Sequence, residues 1–104
     1  MNPPLTALKA LADPSRLAIL DFLRHPLPDV CRLEGAVCNC DLETFLGITQ
    51  PAVSHHMKIL VQAGLVTAQK QGKWTYYAVE PDAFDALIHF LGAYRTPSQT
   101  RVPS

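Results

Sequence analysis

Long apolar runs and repetitive, low-complexity segments are both missing from this sequence of 104 residues. No stretch approaches the roughly 20 apolar residues that a helix needs to span a bilayer, and the start of the chain lacks the cationic and apolar regions of a secretory signal. Apolar residues nevertheless make up 48% of the chain, which excludes a disordered protein. We therefore expect a single globular domain in the cytoplasm, small enough for a second subunit to add substantially to its buried surface.

Cysteine is scarce, and the count of three is odd. A disulfide framework needs an even number in an oxidising compartment, so the sequence excludes a small disulfide-stabilised scaffold. Cys31, Cys38 and Cys40 are expected to be thiols, which serve as ligands for soft ions, as redox groups or as small buried apolar residues.

Acidic residues are absent between Glu43 and Glu80, although the formal net charge of the whole chain is zero. A protein that binds nucleic acid needs cations to contact phosphate, and the balanced total would argue against such a function. The gap contains these basic residues and histidines: Lys58, Lys70, Lys73, His55 and His56. One face of a neutral protein is therefore predicted to be electropositive, and a chance gap in a well-packed segment is the alternative.

Capping residues, prolines and glycines divide the chain into predicted helices and strands. Asp13 followed by Pro14 is typical of a helix start, and the prolines at 26 and 28 end that helix. The predicted order is helix 5–11, helix 14–24, a loop over 28–37, helix 40–46 capped by Asn39, helix 50–63, strands 65–69 and 74–79, and helix 81–95. Residues 1–95 are thus predicted to form one domain, followed by a flexible tail over 96–104.

The periodicity of apolar residues predicts which side of each helix is buried. In the second helix the residues expected to face the core are Leu17, Leu20, Phe22 and Leu23, and those expected to face water are Arg16, Asp21 and Arg24. In the fourth helix the inward stripe is Val53, Met57 and Leu60. The last helix is apolar nearly all round, which predicts that it is covered on two sides.

The third and fourth helices, joined by a tight turn, are typical of a helix-turn-helix, whose second helix enters the major groove of DNA. Polar side chains near the start of that helix can reach base edges, whereas lysines neutralise phosphate. The predicted DNA contacts are Thr49, Gln50, Ser54, His55, His56, Lys58, Lys70 and Lys73. The alternative for the polar groups is a solvated surface, and His56 could instead orient the backbone or fill a gap. The glycine-containing hairpin that carries the last two lysines is predicted to be a wing.

The chain contains, in this order, the segments LKALADPSRL, QPAVSHHMKIL, AGLV and QGKWTYY. Together they resemble the ArsR/SmtB family of metal- and metalloid-responsive repressors over roughly residues 5–92. The resemblance implies a mainly α winged helix-turn-helix with a small β-hairpin, in a homodimer whose interface is formed by the first and last helices. It also implies that the dimer binds an imperfect palindrome in double-stranded operator DNA without a cofactor and releases it when an inducer binds.

The segment Cys38–Leu42 resembles the Cys-x-Cys-Asp-Leu motif of the arsenic-responsive branch of that family. The resemblance implies trivalent arsenic or antimony as the inducer, a soft centre that binds three thiolates. The third cysteine of the motif is replaced here by Glu43, whose carboxylate is a poor ligand for arsenic. Because the loop that carries Cys31 is long enough to fold back on the helix start, we predict the ligand set Cys31, Cys38 and Cys40.

Other functions would use the same thiols. A redox-sensing repressor would form a disulfide under oxidation and respond to peroxide, and a cadmium- or lead-responsive repressor would bind a divalent ion. A thiol enzyme is not predicted, because the sequence offers neither a nucleophile with a positioned base nor a phosphate-binding loop. Asp85 and His89 have helical i, i+4 spacing but too few companions to predict zinc there.

Overall fold

The computed structural model describes residues 4–25, 32–33 and 36–95, which form helices packed on a small antiparallel sheet. The helices are α1 (Leu5–Leu11), α2 (Pro14–Arg24), α3 (Asn39–Leu46), α4 (Gln50–Gln62) and α5 (Pro81–Arg95). The strands are β1 (Arg32–Leu33), β2 (Ala36–Cys38), β3 (Val66–Gln71) and β4 (Trp74–Val79), in the sheet order β1-β2-β4-β3. The predicted mainly α winged helix-turn-helix is confirmed. Cys31 and the predicted tail over 96–104 lie outside the described residues.

Local capping determines where the helices begin and end. The side chain of Asp13 accepts a hydrogen bond from the backbone N–H of Arg16 at 3.0 Å, which starts α2 as predicted. Thr49 does the same for α4, where its Oγ1 accepts from the N–H of Ala52 at 3.4 Å. Gly47 ends α3 with φ at 66°, in the left-handed region that glycine tolerates best. The connection between α3 and α4 is therefore a tight turn.

The structure corrects the loop predicted over residues 28–37. Arg32–Leu33 forms strand β1, which pairs with strand β2 (Ala36–Cys38). Strand β2 also pairs with β4, through Val37 opposite Tyr77 and Cys38 opposite Tyr76. The sequence pattern misses this strand because three residues show no alternation and all three are buried. The strand exists because of a partner far along the chain, which no local pattern reports.

The start of α3 also differs from the prediction. The helix begins at Asn39 with Cys38 as its cap, whereas Asn39 was the predicted cap and Cys40 the predicted first residue. The side chain of Asn39 is bonded elsewhere, since its Oδ1 accepts from the backbone N–H of Thr75 in β4 at 3.3 Å. Helix α4 ends at Gln62, one residue before its predicted end.

The wing, defined here as residues 66–79, is tighter than predicted. Strand β3 runs two residues beyond its predicted end, so that Gln71 pairs with Trp74. The turn contains Gly72 and Lys73, with φ of Gly72 at 62° as a two-residue hairpin turn requires. Lys70 consequently lies in the strand and not in the turn.

The core lies where α2, α3 and α4 meet the sheet, and its fully buried side chains are Ile19, Val37, Leu42, Val53, Met57, Leu60 and Leu65. The predicted inward stripe of α4 is confirmed. In α2 the prediction is confirmed for Leu20, Phe22 and Leu23, which are buried, and is wrong for Leu17, which is 49% exposed while Ile19 fills the core. Helix α2 carries apolar residues on several sides, so periodicity alone does not choose between them; packing against α4 and β4 does.

Arg16, predicted to face water, is half-buried at the junction of α1 and α2. Its Nε donates to the carbonyl oxygen of Ala10 at 2.6 Å, and its Nη1 lies 3.4 Å from Nδ1 of His56 in α4. The last carbonyl groups of a helix have no partner inside the helix and attract a cation. Arg16 therefore links three helices, which the sequence pattern did not reveal.

Helix α5 leaves apolar side chains uncovered. Leu87 is buried, whereas Ile88, Leu91 and Tyr94 are exposed, the last by 79%. An apolar groove of about 700 Å³ lies between α1, α2, β4 and α5, and the exposed Leu17 is part of its lining. Apolar surface of this extent on a small domain is typical of an interface.

The cap at Asp13 leads to a prediction about acid stability. The N–H of Arg16 lowers the pKa of the Asp13 carboxyl, with smaller contributions from the charges of Arg16 and His56, although partial desolvation opposes them. A carboxyl whose pKa is lower in the folded chain stabilises the fold above about pH 4 and loses that effect as the pH falls through the folded pKa. Asp13→Asn is therefore expected to lower the unfolding temperature at pH 7, and the deficit is expected to shrink below about pH 4.

Thermal unfolding followed by circular dichroism between pH 2.5 and pH 7 checks this prediction. The matched control is Asp85→Asn, which removes one exposed carboxylate from α5. A deficit of equal size for both variants at every pH would contradict a specific role for the cap.

Candidate thiol site and nucleic-acid interface

Two sulfur atoms meet at the N-terminal end of α3. Cys38 ends β2 and caps the helix, and the thiol of Cys40 in the first turn points back to it, with 2.7 Å between the two Sγ atoms. Both residues are thiols and not halves of a disulfide. Cys38 Sγ also accepts from the backbone N–H of Cys40 at 3.4 Å. Because Cys38 is only 1% exposed and Cys40 is half-buried, an ion would approach this pair from the side of Cys40.

A carboxylate lies beside the sulfur pair. One ligand atom from each of Cys38, Cys40 and Asp41 lies within 4.8 Å of the other two. The sequence reasoning missed Asp41, although the first turn of a helix gathers its cap and the next residues around one end. Glu43, which takes the place of the third motif cysteine, is not a member of this group among the described residues.

The chemistry of this group of ligands favours soft or borderline ions. Thiolate sulfur selects soft ions, whereas carboxylate oxygen suits harder ones, so the two sulfurs determine the character of the site. The partial positive charge at the N-terminus of α3 favours a negatively charged set of ligands. The predicted pairing of Cys38 with Cys40 is thus present in the geometry, and binding of an ion by them stays a prediction.

Helix α3 is held firmly against its neighbours beyond the thiols. Leu42 is completely buried, and the ring of Phe45 stacks on Phe22 of α2 with 4.3 Å between centroids. The same helix packs against α4 across the tight turn at Gly47. A displacement at the start of α3 therefore reaches α4 through packed side chains.

The outward face of α4 carries polar side chains. Its predicted DNA contacts Gln50, Ser54, His55 and Lys58 are all exposed, as is the capping residue Thr49. Gln50 Nε2 donates to Ser54 Oγ at 2.8 Å, which aligns two hydrogen-bonding groups on one side of the helix. The buried stripe holds the helix from behind, so this face is presented to solvent as a rigid surface.

His56 is placed differently from the other predicted contacts. Its side chain is 18% exposed, and its Nδ1 lies 4.0 Å from Asp13 Oδ2 as well as near Arg16. Arg16 also donates to the carbonyl oxygen of Lys9 at 3.5 Å. His56 therefore connects α4 to the junction of α1 and α2. Its contact with DNA stays a prediction, and its surroundings favour a role in orienting the helix.

The wing lysines extend the basic surface. Lys70 and Lys73 are exposed, and Lys73 Nζ lies 5.2 Å from the centre of the Trp74 ring. Among residues 4–25 and 36–95 the ion pairs are Arg24 with Asp21 and His56 with Asp13, so neither wing lysine is neutralised by an acid there. The absence of acids over residues 44–79 leaves both charges available for phosphate.

None of the helices in the described part of the chain combines the length and apolar character that crossing a membrane requires.

Comparison with known proteins identifies similar sequences. The family model described as bacterial regulatory protein, arsR family, matches residues 13–68. The arsenical resistance operon repressor of Staphylococcus aureus is 40% identical over 94 residues, an alignment that covers 90% of this chain and 82% of that protein.

Solved structures show a similar fold. A crystal structure of an ArsR family transcriptional regulator superposes with a TM-score of 0.77 at 23% identity, covering 94% of this chain and 92% of that one. A homodimeric winged helix-turn-helix DNA-binding domain from Mycobacterium bovis superposes with a TM-score of 0.63 at 24% identity, covering 95% of this chain and 86% of that one.

Proposed function

Because the chain belongs to the arsR family of bacterial regulatory proteins, we propose that it is a cytoplasmic transcriptional repressor that binds operator DNA as a homodimer and releases it when trivalent arsenic or antimony binds its thiols. The observation that carries this proposal is the pair of sulfurs 2.7 Å apart at the start of α3, the helix that packs against α4. The name of the similar Staphylococcus aureus repressor and the preference of soft ions for thiolate support arsenic as the inducer. DNA binding itself requires no cofactor.

The homodimer is proposed to form through α1 and α5. Exposed apolar side chains lie on both helices, including Leu5 and Ile88, and the groove beside α2 exposes Leu17. Burying these groups in a two-fold symmetric interface gives α5 the second covered side that its sequence predicts. Two copies of α4 are then presented to two half-sites.

Cys31 is proposed to supply the third sulfur. In the part of the chain that the structure describes, the group around Cys38 contains one other sulfur and the Asp41 carboxylate. Oxygen is a poor ligand for arsenic, so a third thiolate from Cys31 would complete the set of three sulfurs. If Asp41 is the third ligand instead, a divalent ion such as cadmium or lead becomes the better inducer.

The contact between the two sulfurs also favours a second candidate function, a redox-sensing repressor. Oxidation would join Cys38 and Cys40 or pair one of them with Cys31, and a reductant would reverse the change. This candidate differs from the first in its inducer and shares its DNA-binding surface.

The proposed switch depends on the packing of α3 against α4. Closing three ligands around one ion moves or stiffens the first turn of α3, and α4 follows through the tight turn at Gly47. A change in the position of α4 alters the spacing of the two half-sites that the dimer can contact. A typical coupling of about 1–3 kcal/mol would lower operator affinity by roughly 5- to 150-fold.

One titration tests the proposed function. The protein is bound to labelled operator DNA, and release is followed by fluorescence anisotropy on addition of arsenite, antimonite, cadmium, lead or hydrogen peroxide. Release by arsenite or antimonite at low concentration is expected. Release by peroxide alone, reversed by reductant, would support the redox candidate, and release by none of them would contradict both.

The wing lysines lead to a prediction about salt. Each phosphate contact contributes about 0.9 to the slope of the logarithm of affinity against the logarithm of salt concentration. Because a dimer carries each lysine twice, Lys70→Ala or Lys73→Ala is expected to reduce that slope by up to about 2. The preference for operator over random DNA should change little.

Operator binding measured between 50 and 300 mM salt checks this expectation. Lys9→Ala, which removes an exposed lysine of α1, is the matched control and should keep the slope of the unmodified protein when size-exclusion chromatography shows that its dimer is intact. Equal slopes for all of these proteins would mean that the wing does not contact phosphate.

A further inference from the structure

One side chain lies between the thiol pair and the wing. Asn39 is half-buried at the start of α3, and its Oδ1 accepts a hydrogen bond of 3.3 Å from the backbone N–H of Thr75. The Cys38 thiol donates to the same oxygen at 3.8 Å. A single amide oxygen therefore contacts both a candidate ligand of the ion and the backbone of β4.

The backbone strengthens this connection. Strand β2 pairs with β4, and the last pair of their register places Cys38 opposite Tyr76. The next residue toward the turn of the wing is Thr75, which is paired with Lys70 of β3. Two hydrogen bonds to Asn39 thus join the sulfur of Cys38 to the backbone of Thr75, and the strand register places Thr75 opposite a lysine of the wing.

We propose that Asn39 is a positioning residue that couples the thiol site to the wing, so that an ion bound at Cys38 and Cys40 displaces the wing as well as α4. The inference rests on the proposed function of the thiol pair. Coupling through Asn39 is a second route from the thiol site to the DNA-binding surface, beside the route through α3 and α4. Asn39 itself is not among the proposed DNA contacts.

The physical argument concerns what an ion does to the end of β2. An ion that binds both sulfurs must separate them beyond their 2.7 Å contact, because two sulfurs at about 2.3 Å from one centre lie roughly 3.3–3.8 Å apart, and the last residue of β2 moves with its sulfur. Because Asn39 follows Cys38 directly and holds Thr75 through its side chain, the start of β4 moves or loses that hydrogen bond. Contacts of the wing with phosphate then weaken together with those of α4.

The chain contains a natural probe of this movement. Trp74 is its only tryptophan and directly precedes Thr75. Its ring is 40% exposed and lies 5.2 Å from Lys73 Nζ, so its fluorescence should respond to a change at the base of β4 or to a shift of that lysine. Binding of arsenite is expected to change Trp74 emission in the unmodified protein.

The experiment compares Asn39→Ala with a matched control, Thr67→Val. Thr67 Oγ1 donates to the carbonyl oxygen of Ala78 at 3.4 Å, so the control also removes a hydrogen bond from a side chain to the backbone of the wing, far from the thiols. Arsenite affinity is measured by calorimetry, wing movement by Trp74 emission, and release by anisotropy of labelled operator.

Asn39→Ala is expected to bind arsenite as the unmodified protein does, to lose most of the change in Trp74 emission and to show release weakened by about 2- to 30-fold. Asn39→Asp keeps an oxygen for the N–H of Thr75 and is expected to restore the emission change. Thr67→Val is expected to behave as the unmodified protein in all three measurements.

Two outcomes separate this inference from the function on which it rests. Arsenite that binds without releasing the unmodified protein from DNA would overturn the proposed function and this coupling with it. Arsenite that releases the unmodified protein and Asn39→Ala equally, with the same change in Trp74 emission, would overturn only the coupling. Should Asn39→Ala fail to fold, amide hydrogen exchange at Thr75 in the unmodified protein decides, since the coupling requires the exchange rate at Thr75 to change when arsenite is bound.

Discussion

Replacing Cys40 by serine is expected to abolish the release of operator DNA by arsenite while leaving operator binding in place. A hydroxyl oxygen is a hard ligand that arsenic binds poorly, so the two-sulfur contact at the start of α3 is lost. The roughly 5- to 150-fold fall in operator affinity should shrink to almost no change. Cys38→Ser is expected to have the same effect on release. Fluorescence anisotropy of labelled operator, titrated with protein with and without arsenite, measures both quantities.

The two cysteine variants differ in their expected cost to the fold. Cys38 is fully buried, and a buried hydroxyl without a good partner costs about 1–3 kcal/mol, so thermal unfolding must be measured for Cys38→Ser. Cys40 is half-buried and gives the cleaner test. Full release of both variants by arsenite would contradict the thiol site.

The identity of the third ligand is decided by two further variants in the same assay. Cys31→Ser should lose release by arsenite if Cys31 supplies the third thiolate. Asp41→Asn should instead lose release by cadmium or lead if the carboxylate 4.8 Å or less from both sulfurs completes the set. Loss in only one of the two variants assigns the ligand directly.

Removing the polar groups of α4 is expected to have the second large effect. The double variant Gln50→Ala with Ser54→Ala should lower operator affinity by about 100-fold or more, because each base contact contributes about 1–3 kcal/mol and the dimer carries each residue twice. Affinity for random DNA should change little, since phosphate contacts are retained. Competition of labelled operator with random duplex DNA measures the ratio of the two affinities.

The matched control for this loss is Thr44→Ala. Thr44 is an exposed residue of α3 whose hydroxyl donates to the carbonyl oxygen of Cys40, so the variant removes a surface hydroxyl outside the face of α4. It should preserve the preference for operator. An equal fall in affinity for operator and random DNA in the double variant would mean that these groups do not contact bases.

Much of the fold could be predicted because its determinants are local. Asp13 with Pro14, Thr49 with Pro51, and Gly47 specify helix ends within a few residues of themselves. The fourth helix was correctly oriented because its apolar residues have one strong period. Strand β2 was missed for the opposite reason, since its existence depends on pairing with β4.

The same distinction between local and long-range determinants applies to the candidate site. The contact of Cys38 with Cys40 follows from their spacing at a helix start, and the exposed face of α4 follows from periodicity. The position of His56 against Asp13 and the bond from Asn39 to Thr75 depend on packing between distant segments. No local pattern of residue types reports such contacts, so only the structure supplies them.

The hydrogen bond between Gln50 and Ser54 has a consequence for discrimination. In the unbound protein this bond joins two exposed groups, so in the proposed complex a base must replace it when the two groups separate. A duplex with mismatched edges would break that internal bond without compensation, and binding would be penalised at the first step of docking. In the proposed complex, this internal bond would therefore contribute to the rejection of an incorrect site.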